Sequence, residues 1–255
     1  MTLYKLFLTN NNCYKAGKTI TPRGIMVHST AANNPKISRY VGPDDGRLGK
    51  NPYNNHWNTA TPGGRQVCVH AFIGKLADGS IATYQTLPWN MRGWHAGGKA
   101  NDTHIGFEIC EDGLKDAKYF KAVYTEAVEL CAYLCKMFDL TEKNIICHAE
   151  GHDQGIASNH GDVLHWFPKF GKSMADFRSD VKELLEPKPV IIEGKFKVEV
   201  IGGSVNIRKG PGSAYPIVGS LLQGAQVTIL RKFLTWGQLG TGLWIGIGSK
   251  YVKKI

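Results

Sequence analysis

No apolar run in this 255-residue sequence approaches the roughly 20 residues that a bilayer-spanning helix needs. The opening stretch MTLYKLFLTNNN has a single Lys, a short apolar patch and no small-residue cleavage site, so it makes a poor secretory signal. Synthesis in the cytoplasm without a signal peptide, and no membrane insertion, are the expectations. The six cysteines form no CxxC pair and lie scattered through apolar segments, which favours buried free thiols over disulfides. Acidic residues are scarce at one end. Residues 187–255 hold 2 Asp/Glu against 10 Lys/Arg, a surplus of +8, whereas residues 1–186 hold 19 against 21. A basic module suits an anionic partner such as nucleic acid, a membrane surface or an acidic wall polymer. Finger-like Cys/His spacing and a basic helix are both missing, which argues against nucleic acid.

A hydrophobic content of 42% supplies a sizeable core. GIMVHST, residues 24–30, reads as a strand with Gly24, Met26 and His28 on one face and Ile25 and Val27 on the other. About thirty loop-like residues rich in Asn, Pro and Gly follow, and so long an irregular stretch often lines a site. VCVHAFIG, residues 67–74, reads as a strand with Cys68, His70 and Phe72 on one face; an Asp78-Gly79 turn leads to another strand over 81–86. In HIGFEIC, Ile105, Phe107 and Ile109 face one way, and Gly106, Glu108 and Cys110 the other. A Glu in so apolar a strand is costly unless paired, solvated or used.

Residues 119–138 predict a helix whose inner stripe includes Phe120, Val123, Tyr124, Ala127, Leu130, Cys131, Leu134 and Phe138, with Glu126 off it. SMADFRSDVKELLE predicts a second, opened by a Ser173/Asp176 capping box. Interleaved strands and helices argue an α/β domain over 1–186. Pro187 and Pro189 open a linker, 187–193. Short alternating runs with Gly-rich turns over 194–255 then predict a small all-β barrel.

Four of the nine histidines crowd into residues 144–171, NIICHAEGHDQGIASNHGDVLHWFPKFG. The stretch reads as a β entry, 144–148, followed by a Gly-punctuated loop ending at His160-Gly161-Asp162. A packed core does not need so many imidazoles, whereas zinc takes neutral imidazole and carboxylate readily. Catalytic zinc sites use three protein ligands and keep a fourth position open. His28, His148 and Asp162 fit that count, with His160 an alternative to Asp162. The His148/His152 pair of HAEGH lacks the acid of HExxH at its proper place, contains Gly151 and follows a β-like NIIC, so it is set aside. Cys147 points away from His148 on a strand and reads as core.

VHSTAANN, AFIGKLADGSI, GWHAGG, IGFEIC and CHAE…NHGDVLHWFPKFG, in that order, resemble the type-2 N-acetylmuramoyl-L-alanine amidases over roughly residues 20–185. These enzymes are related to the peptidoglycan recognition proteins and to a short phage lysozyme-amidase, and the likeness is greatest to endolysins of clostridia or their phages. The resemblance implies a mixed β-sheet flanked by helices, one zinc ion held by His28, His148 and Asp162, and hydrolysis of the amide joining N-acetylmuramic acid to L-alanine in bacterial peptidoglycan. It places the family's strand acid, the expected general base, on Glu108, and its Tyr-or-His groove position on His70. His160 stands where the family commonly has Lys, as the expected oxyanion donor. Trp94 and His95 would form one groove wall, while His165 and Trp166 are assigned to packing or support behind the site. The tail runs VNIRKGPG and GSKYV are similar to bacterial SH3-type wall-binding domains, implying an anionic wall polymer as partner and action at the wall after release. A non-catalytic muropeptide-recognition protein is the alternative; such relatives lose the third ligand, and Asp162 is present.

Overall fold

The computed structural model describes residues 1–186, 192–213 and 215–255, and it divides into two compact units, Met1–Glu186 and Pro187–Ile255. Most of the expected linker, residues 187–191, lies outside the described residues, and strand structure begins at Ile192.

The first unit runs β1 (Leu3–Lys5), α1 (Asn12–Lys15), β2 (Gly24–Asn33), β3 (Ala71–Lys75), β4 (Ile81–Gln85), β5 (His104–Glu111), α2 (Ala117–Phe138), β6 (Ile145–Cys147), α3 (His148–Asp153) and α4 (Met174–Leu185). Its six strands form one mixed sheet in the order β1-β4-β3-β5-β2-β6. Only the β3–β4 hairpin is antiparallel, and β2 lies between β5 and β6 with both pairings parallel. The two faces follow the period of two read from the sequence. Ile25, Val27, Ala71, Ile73, Ile105, Phe107 and Ile109 pack against α2 and α4 in the main core. Each of these Ile, Val or Phe side chains, fully buried, contributes roughly 1.5–3 kcal/mol.

The predicted α2 stripe is the one that is buried, but Glu126 is buried as well. It accepts hydrogen bonds from Thr83 Oγ1 and Thr2 N, both 2.9 Å, which is why a carboxylate is tolerated there. Asp116 caps α2 by accepting from Lys118 N and Tyr119 N, and the Ser173/Asp176 capping box opens α4.

Two expectations are corrected. The strand expected from Val67 begins only at Ala71; Cys68 forms an isolated bridge with Trp94, and Val69 joins Phe72 in a second core cluster, breaking the alternation. HAEGHD, expected as loop, is the helix α3. Gly151 faces the sheet, where a Cβ would lie 2.6 Å from Met26 Cε, so a larger residue there would need the Met26 side chain to shift.

The second unit is all β among its described residues: β7 (Ile192–Val200), β8 (Ser204–Arg208), β9 (Ile217–Leu222), β10 (Gln226–Phe233), β11 (Trp236–Gln238), β12 (Trp244–Gly246) and β13 (Val252–Lys254). They form one sheet, order β13-β7-β10-β11-β12-β8-β9, with antiparallel pairings and a core of its own around Val198, Val200, Ile229 and Ile245. No helix among the described residues is long and apolar enough to cross a membrane, and all six cysteines are buried and free.

Candidate metal centre

On the sheet face turned away from α2, loops build two apolar patches, one around Tyr40 and Phe72 and one around Met26 and Ala96. A cleft of about 710 Å³ lies on this face, with His28, Glu108, His148 and Asp162 among its lining. Parallel pairing sets His28 beside Glu108 in the β2–β5 register.

His148 is the first residue of α3, immediately after β6. Glu150 fixes this junction. Its Oε2 accepts from Cys147 N at 3.0 Å, and both its oxygens meet the Arg178 guanidinium of α4 at 3.0 Å. The acid inside HAEGH is therefore a structural clamp. His152 is exposed beside Asp153 and stands apart from the centre.

Three ligand-type atoms converge. His28 Nδ1 lies 3.1 Å from Asp162 Oδ2 and 3.0 Å from His148 Nδ1, and His148 Nδ1 lies 3.7 Å from Asp162 Oδ2. Ligand atoms of a tetrahedral zinc shell with bonds of about 2.0–2.1 Å lie about 3.3–3.4 Å apart. The observed triangle brackets that spacing, and two imidazoles with one carboxylate are a donor set that catalytic zinc uses, so these residues fit the ion. His28 and His148 are buried. Burial, then the neighbouring His28, lower the His148 pKa to about 4 against the opposing pull of Asp162, leaving its ring neutral. Burial raises Asp162, but the neighbouring His28 and His148 outweigh it and keep the carboxyl below its ordinary range.

Glu108 lines the cleft with Oε2 shielded from solvent and without a hydrogen-bond partner. Burial first, then the carboxylates of Asp162 and Glu111, push its pKa well above the ordinary range; Arg65 on the cleft lining pulls the other way. An orphaned buried carboxyl is destabilising by itself, and such groups concentrate at sites of proton transfer.

The other expected residues divide. His160 is exposed on the cleft, its ring 4.7 Å from that of His148 and its Nδ1 3.1 Å from Ser158 Oγ. Trp94 lines the cleft. His70 does not: it is fully buried, Nε2 donates to Met91 O at 2.7 Å, and Nδ1 accepts from Gly106 N at 3.1 Å. Burial lowers its pKa to about 4. It precedes β3, and the groove position that the family resemblance implied for it is not on the cleft lining. His95 reaches the cleft lining, yet both its ring nitrogens are engaged inside the protein, with His28 and with His104 O. His165 meets the buried Glu111 at 2.9 Å, and Trp166 is buried against Phe120. Sequence reasoning missed Ser158, Arg39, Arg65 and Arg92, all on the cleft lining. Arg39 ends a single 3-10 turn and the others stand in irregular segments, so no periodicity marks them.

Known structures share this architecture. A mutant form of PlyL superposes with a TM-score of 0.51 at 20% identity, covering 71% of this chain and 99% of that one. The catalytic domain of XlyA gives 0.50 at 23% over 71% and 99%, and the Staphylococcus aureus hydrolase AmiA, solved with its ligand, gives 0.50 at 16% over 72% and 82%. At these identities the likeness speaks for the fold. The N-acetylmuramoyl-L-alanine amidase CwlA of Bacillus sp is 39% identical over 70 residues, 26% of this chain; the chain spans little more than a quarter, 28%, of that relative's length. The family model described as N-acetylmuramoyl-L-alanine amidase matches residues 18–163, more than half of the sequence, and takes in β2, β5, β6 and α3 with every residue of the converging triad. By that match the chain belongs to the N-acetylmuramoyl-L-alanine amidase family.

Proposed function

We propose that this protein hydrolyses the amide between N-acetylmuramic acid and L-alanine in bacterial peptidoglycan, with one zinc ion held by His28, His148 and Asp162. The observation that carries the reading is the triad of ligand atoms at 3.0–3.7 Å beside the unpartnered Glu108 carboxyl, on the lining of one cleft. Zinc at such a site supplies Lewis acidity and brings the pKa of water towards about 7.

The protein's own groups do the rest. The cleft positions the scissile amide, whose remote sugar and peptide portions supply binding energy for orientation. Glu108 accepts a proton from the attacking water as the oxygen bonds to the carbonyl carbon, and delivers it to the amide nitrogen as the C–N bond breaks. The products are the lactyl carboxylate and a peptide with a free L-alanine amine. His160 donates to the developing oxyanion, a role worth roughly 3–4 kcal/mol for one well-placed donor. His70, buried and doubly hydrogen-bonded, takes no part in the chemistry and supports the wall behind His95.

The second unit is proposed as a bacterial SH3-type wall-binding domain whose +8 charge attracts anionic wall polymer, so that the enzyme acts at the wall after release. Mass spectrometry of peptidoglycan digested by the purified protein, with and without chelator, tests the reading. New L-alanine amino termini that vanish with chelator are expected; cleavage within the glycan or the peptide would overturn it.

A further inference from the structure

The metal reading leaves a question that the hydrogen bonds answer: why His28 would offer Nδ1 and not Nε2. We propose that His95 is a positioning residue of the metal centre, holding His28 in its Nε2–H tautomer so that the Nδ1 lone pair faces His148 and Asp162. The proposal rests on the zinc reading and concerns only this chain's own residues.

The chain of bonds fixes the protons. His95 Nε2 lies 3.1 Å from the carbonyl oxygen of His104. A carbonyl can only accept, so that nitrogen carries the hydrogen. A neutral imidazole has one N–H, so His95 Nδ1 is an acceptor. Opposite it, at 2.9 Å, stands His28 Nε2, which must then be the donor. The lone pair that a ligating His28 needs is then on Nδ1, the atom 3.0 Å from His148 Nδ1 and 3.1 Å from Asp162 Oδ2. A ligating histidine is held in this manner when its second nitrogen donates to a fixed acceptor. Here the acceptor is another imidazole, anchored in turn by the backbone.

His95 is itself built in. Its backbone N–H and that of Ala96 both donate to Asn101 Oδ1, at 2.9 and 2.8 Å. Its ring meets His28 edge-on, centroids 5.1 Å apart at 76°, with His70 on another side at 5.9 Å. On β5 the position beneath the ring is Gly106, where a Cβ would lie 2.4 Å from His95 Nδ1. Any larger residue would push the ring off His28. With both nitrogens engaged, His95 keeps no ring donor or acceptor for substrate, which separates this role from a groove contact.

The test compares the full chain with His95→Phe and His95→Gln. Phe removes both hydrogen bonds. Gln restores them in kind, its amide oxygen accepting from His28 and its NH₂ donating to His104 O. Zinc affinity is measured by competition with a chelator of known strength, and long-range 1H–15N spectra of the zinc-loaded parent identify which His28 nitrogen is protonated. The Phe variant should bind zinc about 10–100-fold more weakly, with Gln recovering most of the loss and the parent showing His28 protonated at Nε2. Phe binding as tightly as the parent, Gln as weak as Phe, or a parent whose His28 is protonated at Nδ1 would each overturn the proposal. A parent that takes up no stoichiometric zinc would overturn the metal reading itself, and that result is seen before any variant is made.

Discussion

His28 and His148, 120 residues apart, bring their Nδ1 atoms to 3.0 Å, and Asp162 Oδ2 stands 3.1 Å from the first. Two imidazole nitrogens and a carboxylate oxygen facing one another at this spacing are a donor set that suits a cation between them. Asp162→Ala removes the only anionic member of the set. Its zinc affinity should fall by more than about 100-fold, beyond what loss of an outer partner costs. Metal analysis after dialysis against zinc buffers checks this, and stoichiometric zinc in the variant would contradict the ligand assignment.

Glu108 carries a prediction in kinetics and another in stability. Glu108→Gln keeps the shape but cannot move a proton, so turnover should drop by about 10²–10⁴ while zinc content is unchanged. In the metal-free protein the raised pKa has a definite sign. Above the ordinary value of 4.5 the native state keeps a proton that the unfolded chain releases, so stability falls as pH rises towards the native pKa. The Gln variant lacks that loss. Its metal-free unfolding midpoint should exceed the parent's near pH 7 and converge with it near pH 4. An offset constant across that range would show that Glu108 is not held protonated.

Where the backbone is periodic, the sequence could be read directly. The alternation set His28 opposite Ile25 and Val27, and Glu108 opposite Ile105, Phe107 and Ile109, which is the face that packs on the helices, and the α2 stripe named its own core. Legibility ended where tertiary contacts override local pattern. Gly151 argued against a helix at HAEGHD because its close approach to Met26 is invisible along the chain. His70 was assigned to the groove by family resemblance, and its full burial just before β3 begins at Ala71 is set by tertiary contacts. Ser158, Arg65 and Arg92 stand in irregular segments and Arg39 in a single 3-10 turn, so only the folded structure brings them to the site.

The cap of α2 gives a stability test free of the site. Asp116 accepts from Lys118 N and Tyr119 N at 2.8 and 3.1 Å, and no other side chain caps that end. Asp116→Ala should destabilise the first unit by about 1 kcal/mol, lowering its melting temperature by roughly 2–4 °C. Activity at 25 °C should be unchanged, and thermal unfolding followed by circular dichroism reads the shift.

Each unit has a core cluster of its own, so removing residues 187–255 takes no residue out of the first unit's core. Wall sedimentation should then fall, and the full chain's wall binding should weaken as salt rises from about 0.05 to 0.5 M, because screening shortens the reach of its +8 charge. Binding that survives both the deletion and the salt would place wall recognition in the cleft alone.

Arg178 tests how the centre is held from outside. Its guanidinium grips both oxygens of Glu150 at 3.0 Å and also donates to Ile145 O, so one side chain of α4 ties the end of β6 to the start of α3. His148 is the first residue of that helix, and any drift of the junction moves its Nδ1. Both partners are 27% exposed, so solvent screening limits the pair, and Arg178→Met should cost roughly 1–2 kcal/mol of stability. Arg178→Lys should rescue little of it, because an ammonium cannot reproduce the two parallel bonds of the fork. Zinc affinity should weaken in both variants, while Glu150→Gln combined with Arg178→Met should show less than the sum of the single effects. Additive losses in that double-mutant cycle would mean that the two side chains act separately, and that the junction is set by α3 packing on Met26 alone.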